Sequence, residues 1–173
     1  MKTQLIKDIL VSEPDGRLVT ICGWVRTKRD SKNLCFIQVN DGSCFATIQL
    51  TYDRENANNE NIENSLPNVT TGASIKATGK LIPSPASGQA VEVALETLEV
   101  LGVSPSDYPL QKKGHTVEFL RENSHLRART NMFGAVARMR SEMAFAVHSF
   151  FQEKGFFYFN APLITCSDCE GAG

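Results

Sequence analysis

The sequence predicts a small mainly-β barrel, a proline-stiffened connection, and then a segment that opens on a long amphipathic helix. Three observations carry this. Alternating or β-branched apolar runs recur between Leu18 and Val100. The stretch Ser104-Pro105-Ser106-Asp107-Tyr108-Pro109 then interrupts them. Beyond it the apolar period changes from two to between three and four, which is the step from strand to helix.

Taken in order, Thr3 to Val11 reads as a short leading helix, closed by a turn at Ser12-Glu13-Pro14-Asp15-Gly16. Leu18 to Thr27 is a strand with Val19, Ile21 and Val25 on one side. Asn33 to Asn40 alternates more cleanly, with Cys35, Ile37 and Val39 on one face and Leu34, Phe36 and Gln38 on the other. Asp41-Gly42 predicts a tight type I′ turn, whose central residues need positive φ. Ser43 to Thr51 is then the return strand, with Cys44, Ala46, Ile48 and Leu50 on its apolar side. The polar stretch 53–69 holds room for a short helix over Asn61 to Leu66. Ala73 to Ile82 and Ala90 to Val100 are two further strands, parted by Pro83-Ser84-Pro85-Ala86-Ser87-Gly88, which cannot lie inside a sheet.

Three strands, a polar or helical connection and two more strands fit a five-stranded Greek-key barrel of the OB-fold type. A two-sheet sandwich is the other arrangement open to these strands. The domain limits that follow are 1–102 for the OB-fold, 103–131 for a linker or hinge, and 132–173 for the start of a second domain. In that second part Met132, Val136, Met139, Met143, Ala146 and Phe150 recur at steps of four and three, so Met132 to Lys154 is a helix. Gly155 is its stop, and the aromatic run Phe156 to Asn160 is a strand.

The net charge of −1 excludes a uniformly basic nucleic-acid coat, so any such contact must be local. No apolar run reaches the roughly 20 residues that span a bilayer, and Met1 to Leu10 has neither a signal-peptide core nor a transit-peptide pattern. Five cysteines without framework spacing point to a reducing, cytoplasmic setting. Cys166-x-x-Cys169 lacks the second pair or nearby His that a structural zinc would need, so no metal site is expected.

The second strand already has a filled apolar face, which leaves Phe36 on its polar side. Gln49 lies on the corresponding side of the return strand, along with Phe45 and Thr47, where Phe36 and Gln49 can approach. Just upstream, Arg26-Thr27-Lys28-Arg29-Asp30-Ser31-Lys32 reads as a loop with four cations in seven residues. OB-folds bind oligonucleotides on this face. An aromatic ring stacks on a base, an amide reads its edge, and cations hold phosphates. Gln38, on the same strand face as Phe36, is the alternative reader.

Cys22-Gly23-Trp24-Val25-Arg26, Arg29-Asp30, Leu34-x-Phe36-Ile37 and Ile48-Gln49 together resemble the anticodon-binding domain of the class IIb aminoacyl-tRNA synthetases, which serve aspartate, asparagine and lysine. The resemblance implies that Phe36 stacks on a central anticodon uridine, that Arg29 and Gln49 hydrogen-bond it, and that Arg26 and Lys28 assist in binding. The second half separates the subfamilies. Leu110-Gln111-Lys112-Lys113-Gly114-His115, Glu118-Phe119-Leu120-Arg121-Glu122 and Thr165-Cys166-Ser167-Asp168-Cys169-Glu170-Gly171-Ala172-Gly173 are similar to the asparaginyl-tRNA synthetases.

In that family a helix, a strand and a proline form motif 1, the dimer element of a class II α+β catalytic domain. The resemblance therefore implies a homodimer contact through Met143, Phe150 and Pro162. It also implies that Glu170 pairs with the α-ammonium group of the amino acid. The activity implied is ATP-dependent attachment of asparagine to tRNA(Asn), with Mg²⁺ on the phosphates. The family's phosphate-binding arginines and metal-binding acids lie in motifs 2 and 3, which have no counterpart in these 173 residues. No catalytic residue and no metal ligand is expected here, and the polypeptide alone is expected not to aminoacylate. A stand-alone tRNA- or RNA-binding module, or a general single-strand-binding OB protein, are the competing readings.

Overall fold

The structure, a computed structural model, describes residues 2–56, 59–86, 88–162 and 164. The chain divides into two units, Met1–Arg129 and Thr130–Gly173.

The first unit is built on β1 (Leu18–Asp30), β2 (Leu34–Asn40), β3 (Ile48–Asp53), β4 (Ser74–Pro83) and β5 (Val91–Gly102). These close into a barrel in the order β1-β2-β3-β5-β4. Every pairing is antiparallel except β3 with β5. This is the five-stranded OB barrel that the order of elements predicts, and a sandwich is excluded by its closure. Alternation drives it: Cys35, Ile37 and Val39 of β2 meet Ile48, Leu50 and Tyr52 of β3 inside, and all six are fully buried. Each such aliphatic side chain contributes about 1.5–3 kcal/mol by leaving water. At Gly79 a β-carbon would lie 2.1 Å from the carbonyl oxygen of Ala94, so the close approach of β4 to β5 requires glycine there.

Two short helices add to the core. α1 (Ile6–Leu10) buries Ile6 and Ile9. It is shorter than Thr3 to Val11, because Leu5 is extended, at φ −77° and ψ 139°, and Gln4 N–H runs to the Thr20 carbonyl at 2.8 Å. α2 (Glu60–Ser65), between β3 and β4, is capped by the Asn59 side chain, which accepts from Asn61 N–H and Ile62 N–H, and it buries Ile62. A 3₁₀ turn over Leu66–Asn68 continues it.

Two expectations are corrected at the β2–β3 connection. Asp41-Gly42 is not a two-residue turn, and β3 begins at Ile48 rather than Ser43. The Asp41 carboxylate accepts from Ser43 N–H, Ser43 Oγ–H and, at 2.8 Å, the N–H of Ile6. Asn40 Nδ2 donates to the carbonyls of Cys44 and Ala46. These side-chain bonds hold 41–47 as a wider loop, so of Phe45, Thr47 and Gln49 only Gln49 lies in the strand. β1 departs in the other direction and runs on to Asp30. Arg26, Lys28 and Arg29 therefore belong to a strand and not to a loop.

After β5 the chain passes through α3 (Val117–Glu122), which buries Leu120, and a 3₁₀ turn over Arg127–Arg129. The second unit contains α4 (Asn131–Glu153), on which no residue is buried. Gly155, at φ +83°, ends it, with Phe156 N–H returning to the Phe151 carbonyl at 3.0 Å. Phe156 to Asn160, expected as a strand, forms none. A strand needs a neighbouring ladder, and no described residue pairs with it.

Candidate nucleic-acid interface

The outer face of β1, β2 and β3 brings together an aromatic ring, a cation and two amides. Register places them. Phe36 lies opposite Arg29 in β1 and opposite Thr51 in β3. Two residues along the same face, Gln38 lies opposite Thr27 and opposite Gln49. Directly opposed side chains stand about 4.5–5.5 Å apart at Cβ, and diagonal ones somewhat farther. Gln49 is thus a diagonal neighbour of Phe36, and its direct partner is Gln38. Phe36 is half-buried and stands outside the core cluster, while Arg29 is exposed.

Both amides have fixed partners. Gln49 Nε2 donates to Glu92 Oε2 at 3.0 Å. The same oxygen accepts from Ser84 Oγ and Gln89 Nε2, each at 3.3 Å. Glu92, at the start of β5, is only 5% exposed. It therefore ties the β4–β5 loop to the edge of the Phe36 face. On the other side, Thr27 Oγ1 donates to Gln38 Oε1 at 3.1 Å.

Two of the sequence-derived site residues have other engagements. Register slips between Val25 and Thr27, which makes Arg26 the extra residue of a β-bulge. Its Nη1 donates to the Arg129 carbonyl at 2.7 Å, and the Arg129 guanidinium lies 4.6 Å from the centre of the Trp24 ring. Arg26 thereby holds the end of the connection against β1. Lys28 pairs with core residue Ile37, and its Nζ donates to the Leu66 carbonyl at 2.7 Å. That carbonyl lies at the end of α2, where a cation is favoured.

Met143 and Phe150 of α4 are 57% and 56% exposed, and Pro162 is exposed as well. Glu170 and the Cys166-x-x-Cys169 pair lie outside the described residues. Among the described residues no group of three or more His, Cys, Asp or Glu is placed to hold a metal ion, and no helix is long and apolar enough to cross a membrane. Sequence reasoning missed Thr27, Glu92 and the Trp24–Arg129 contact. Glu92 had a signal: an acid between Val91 and Val93, at the entry of an apolar strand, needs buried partners.

Comparison with known proteins agrees with this fold. Residues 19–101 match a family described as the OB-fold nucleic acid binding domain, of the tRNA anticodon type. The chain is 58% identical over 170 residues to the asparagine–tRNA ligase of Treponema denticola, covering 98% of this chain and 36% of that protein. It is 54% identical over 168 residues to the asparagine–tRNA ligase of Phocaeicola vulgatus, covering 97% of this chain and 35% of that one. Its fold is similar to the asparaginyl-tRNA synthetase of Pyrococcus horikoshii complexed with asparaginyl-adenylate, with a TM-score of 0.83 at 20% identity, covering 99% of this chain and 39% of that chain.

The first unit is an OB-fold nucleic-acid-binding domain. The chain is similar over nearly its whole length to asparagine–tRNA ligases, and it spans about a third of the length of the relatives it matches, 36% and 35% in the two cases above.

Proposed function

We propose that the outer face of β1, β2 and β3 binds an unpaired base of a tRNA anticodon loop, and that this chain supplies anticodon recognition for the ligation of asparagine to tRNA(Asn). The observation that supports this best is the ladder that sets Arg29, Phe36 and Thr51 side by side, with Gln38 and Gln49 next along the face. The Phe36 ring stacks on a central uridine, and Arg29 and Gln49 hydrogen-bond its edge. Arg26 and Lys28, whose cations already hold backbone carbonyls, keep β1 in shape at the margin of the site.

The domain reading assigns 1–102 to anticodon binding, 103–131 to a hinge, and 132–173 to the start of a catalytic domain. Met143, Phe150 and Pro162 then lie at a homodimer contact, and Glu170 pairs with the ammonium group of asparagine. ATP enters through the adenylation step. Mg²⁺, when bound, neutralises phosphate charge in the displacement at phosphorus. The described residues offer no cluster for that ion, so no part of this step is assigned to them. The setting is the cytoplasm, where Cys22, Cys35 and Cys44 stay free thiols.

Footprinting tests the reading. Bound to tRNA(Asn), the chain protects the anticodon loop from nuclease. Uniform protection of any single strand would instead favour a general single-strand-binding protein.

A further inference from the structure

We propose that residues 103–129 form a strap with one fixed and one releasable end, latched to the barrel by the Arg129 guanidinium over the Trp24 ring. While the latch is closed the connection is one body with the barrel, and it bends only when the latch opens. The device is independent of the anticodon reading.

The near end is built in. Gly72, in the turn before β4, has φ +91°, and a β-carbon there would lie 2.7 Å from Cε1 of Tyr108 and 2.8 Å from Oγ of Ser104. Glycine alone takes that conformation at no steric cost and lets the strap lie so close. Thr70 Oγ1 donates to the Ser104 carbonyl at 3.3 Å, and the Ser104 hydroxyl is buried. Farther along, the strap buries Leu110 and Leu120, which are 9% and 3% exposed and stand outside the cluster that fills the barrel. The Thr116 hydroxyl caps α3 by accepting from Phe119 N–H. A flexible linker has neither buried leucines nor caps.

The far end is held differently. The bulge in β1 re-aims the Arg26 side chain, whose Nη1 donates to the Arg129 carbonyl at 2.7 Å. The Arg129 guanidinium lies 4.6 Å from the centre of the Trp24 ring, and its Nη1 stands 3.5 Å from the Tyr108 hydroxyl. Arg129 thus touches both the barrel and the strap's own near end, 21 residues back, which closes the loop. These contacts are all at the surface, and Trp24 is 39% exposed. Cation–π contacts in water are weak, and local opening begins where contacts are few and solvated. The far end therefore releases before the near end does.

Hydrogen exchange resolved to single amides tests this on the full 173-residue chain, with acrylamide quenching of Trp24, its sole tryptophan. The amides to follow are those of Leu126, Arg127 and Arg129, which donate to the carbonyls of Asn123, Asn123 and Leu126. Arg129→Gln removes the cation from the ring. These three amides then exchange about threefold faster and Trp24 is quenched more strongly. Arg26→Met takes the donor from the Arg129 carbonyl and quickens them about tenfold, and it carries the test if Arg129→Gln does not fold. The amides of Gly72 and Tyr108, bonded to the carbonyls of Val25 and Pro105, keep their rates in both variants. Unchanged exchange at the far end in both folded variants overturns the latch. So does equal quickening of Gly72 and Tyr108, which would mean that the strap has no releasable end of its own.

Discussion

Arg29 and Phe36 stand directly opposite each other across the β1–β2 ladder. A planar cation beside an outward aromatic ring gives a base two kinds of contact at once, stacking and a forked donor. Arg29→Ala is expected to weaken binding of an RNA hairpin about tenfold, as for loss of one charge-assisted hydrogen bond. Arg29→Lys restores the salt dependence but not the affinity, because an ammonium lacks the fork. Titration of both variants at several salt concentrations checks this.

Asp41 links the β2–β3 loop to α1 through the N–H groups of Ile6 and Ser43. Burial raises its pKa, but the hydrogen bonds from Ser43 and Ile6 outweigh this and hold it below the usual carboxylate value. A depressed folded-state pKa stabilises the protein above the unfolded value, about 3.9, and that contribution is lost as pH falls through the folded value. Asp41→Asn should cost about 1 kcal/mol at neutral pH. Urea unfolding should show the gap between the two proteins closing below about pH 4.

The Cys35 thiol is fully buried, and burial, with the Asp30 charge next, pushes its pKa up to about 11. Thiolate is the reactive form. In native protein at pH 8, site-resolved alkylation should label the half-buried Cys22 and Cys44 before Cys35, and urea should abolish the difference. Early labelling of Cys35 in native protein would contradict the barrel register.

Arg54 binds Glu63 of α2 at 2.6 Å and Asp30 of β1 at 2.9 Å. Its pKa lies further above its ordinary value, raised first by the hydrogen bond to Glu63 and then by that to Asp30. The guanidinium joins α2 to the end of the β1–β2 hairpin, with its side chain 23% exposed. Arg54→Met should destabilise the protein by about 1 kcal/mol, because Glu63 and Asp30, 35% and 38% exposed, are partly solvated once their donor is lost. Chemical unfolding with an unchanged slope would report this as lost stability.

The strands were legible because alternation is a local signal: Cys35, Ile37 and Val39 declared the core face of β2, and with it the outward side of Phe36. The side on which Phe36 and Gln49 lie was legible for the same reason, since a period of two assigns every residue to one side or the other. The boundaries that failed depend on side-chain bonds over distance. Asp41 reaching Ile6 replaced the expected tight turn, and the bulge at Arg26 drew the presumed loop cations into β1. No local pattern encodes such contacts. The partners of Gln38 and Gln49 were hidden likewise, because Glu92 joins Gln49 from a strand 43 residues away.

The most direct test is the affinity of the Phe36→Ala variant for an RNA hairpin with uridine at the loop centre. Loss of one stacked base predicts binding weaker by about 1–3 kcal/mol, with the melting temperature little changed. Unaltered affinity in a folded variant would contradict the proposal that this ring receives the base.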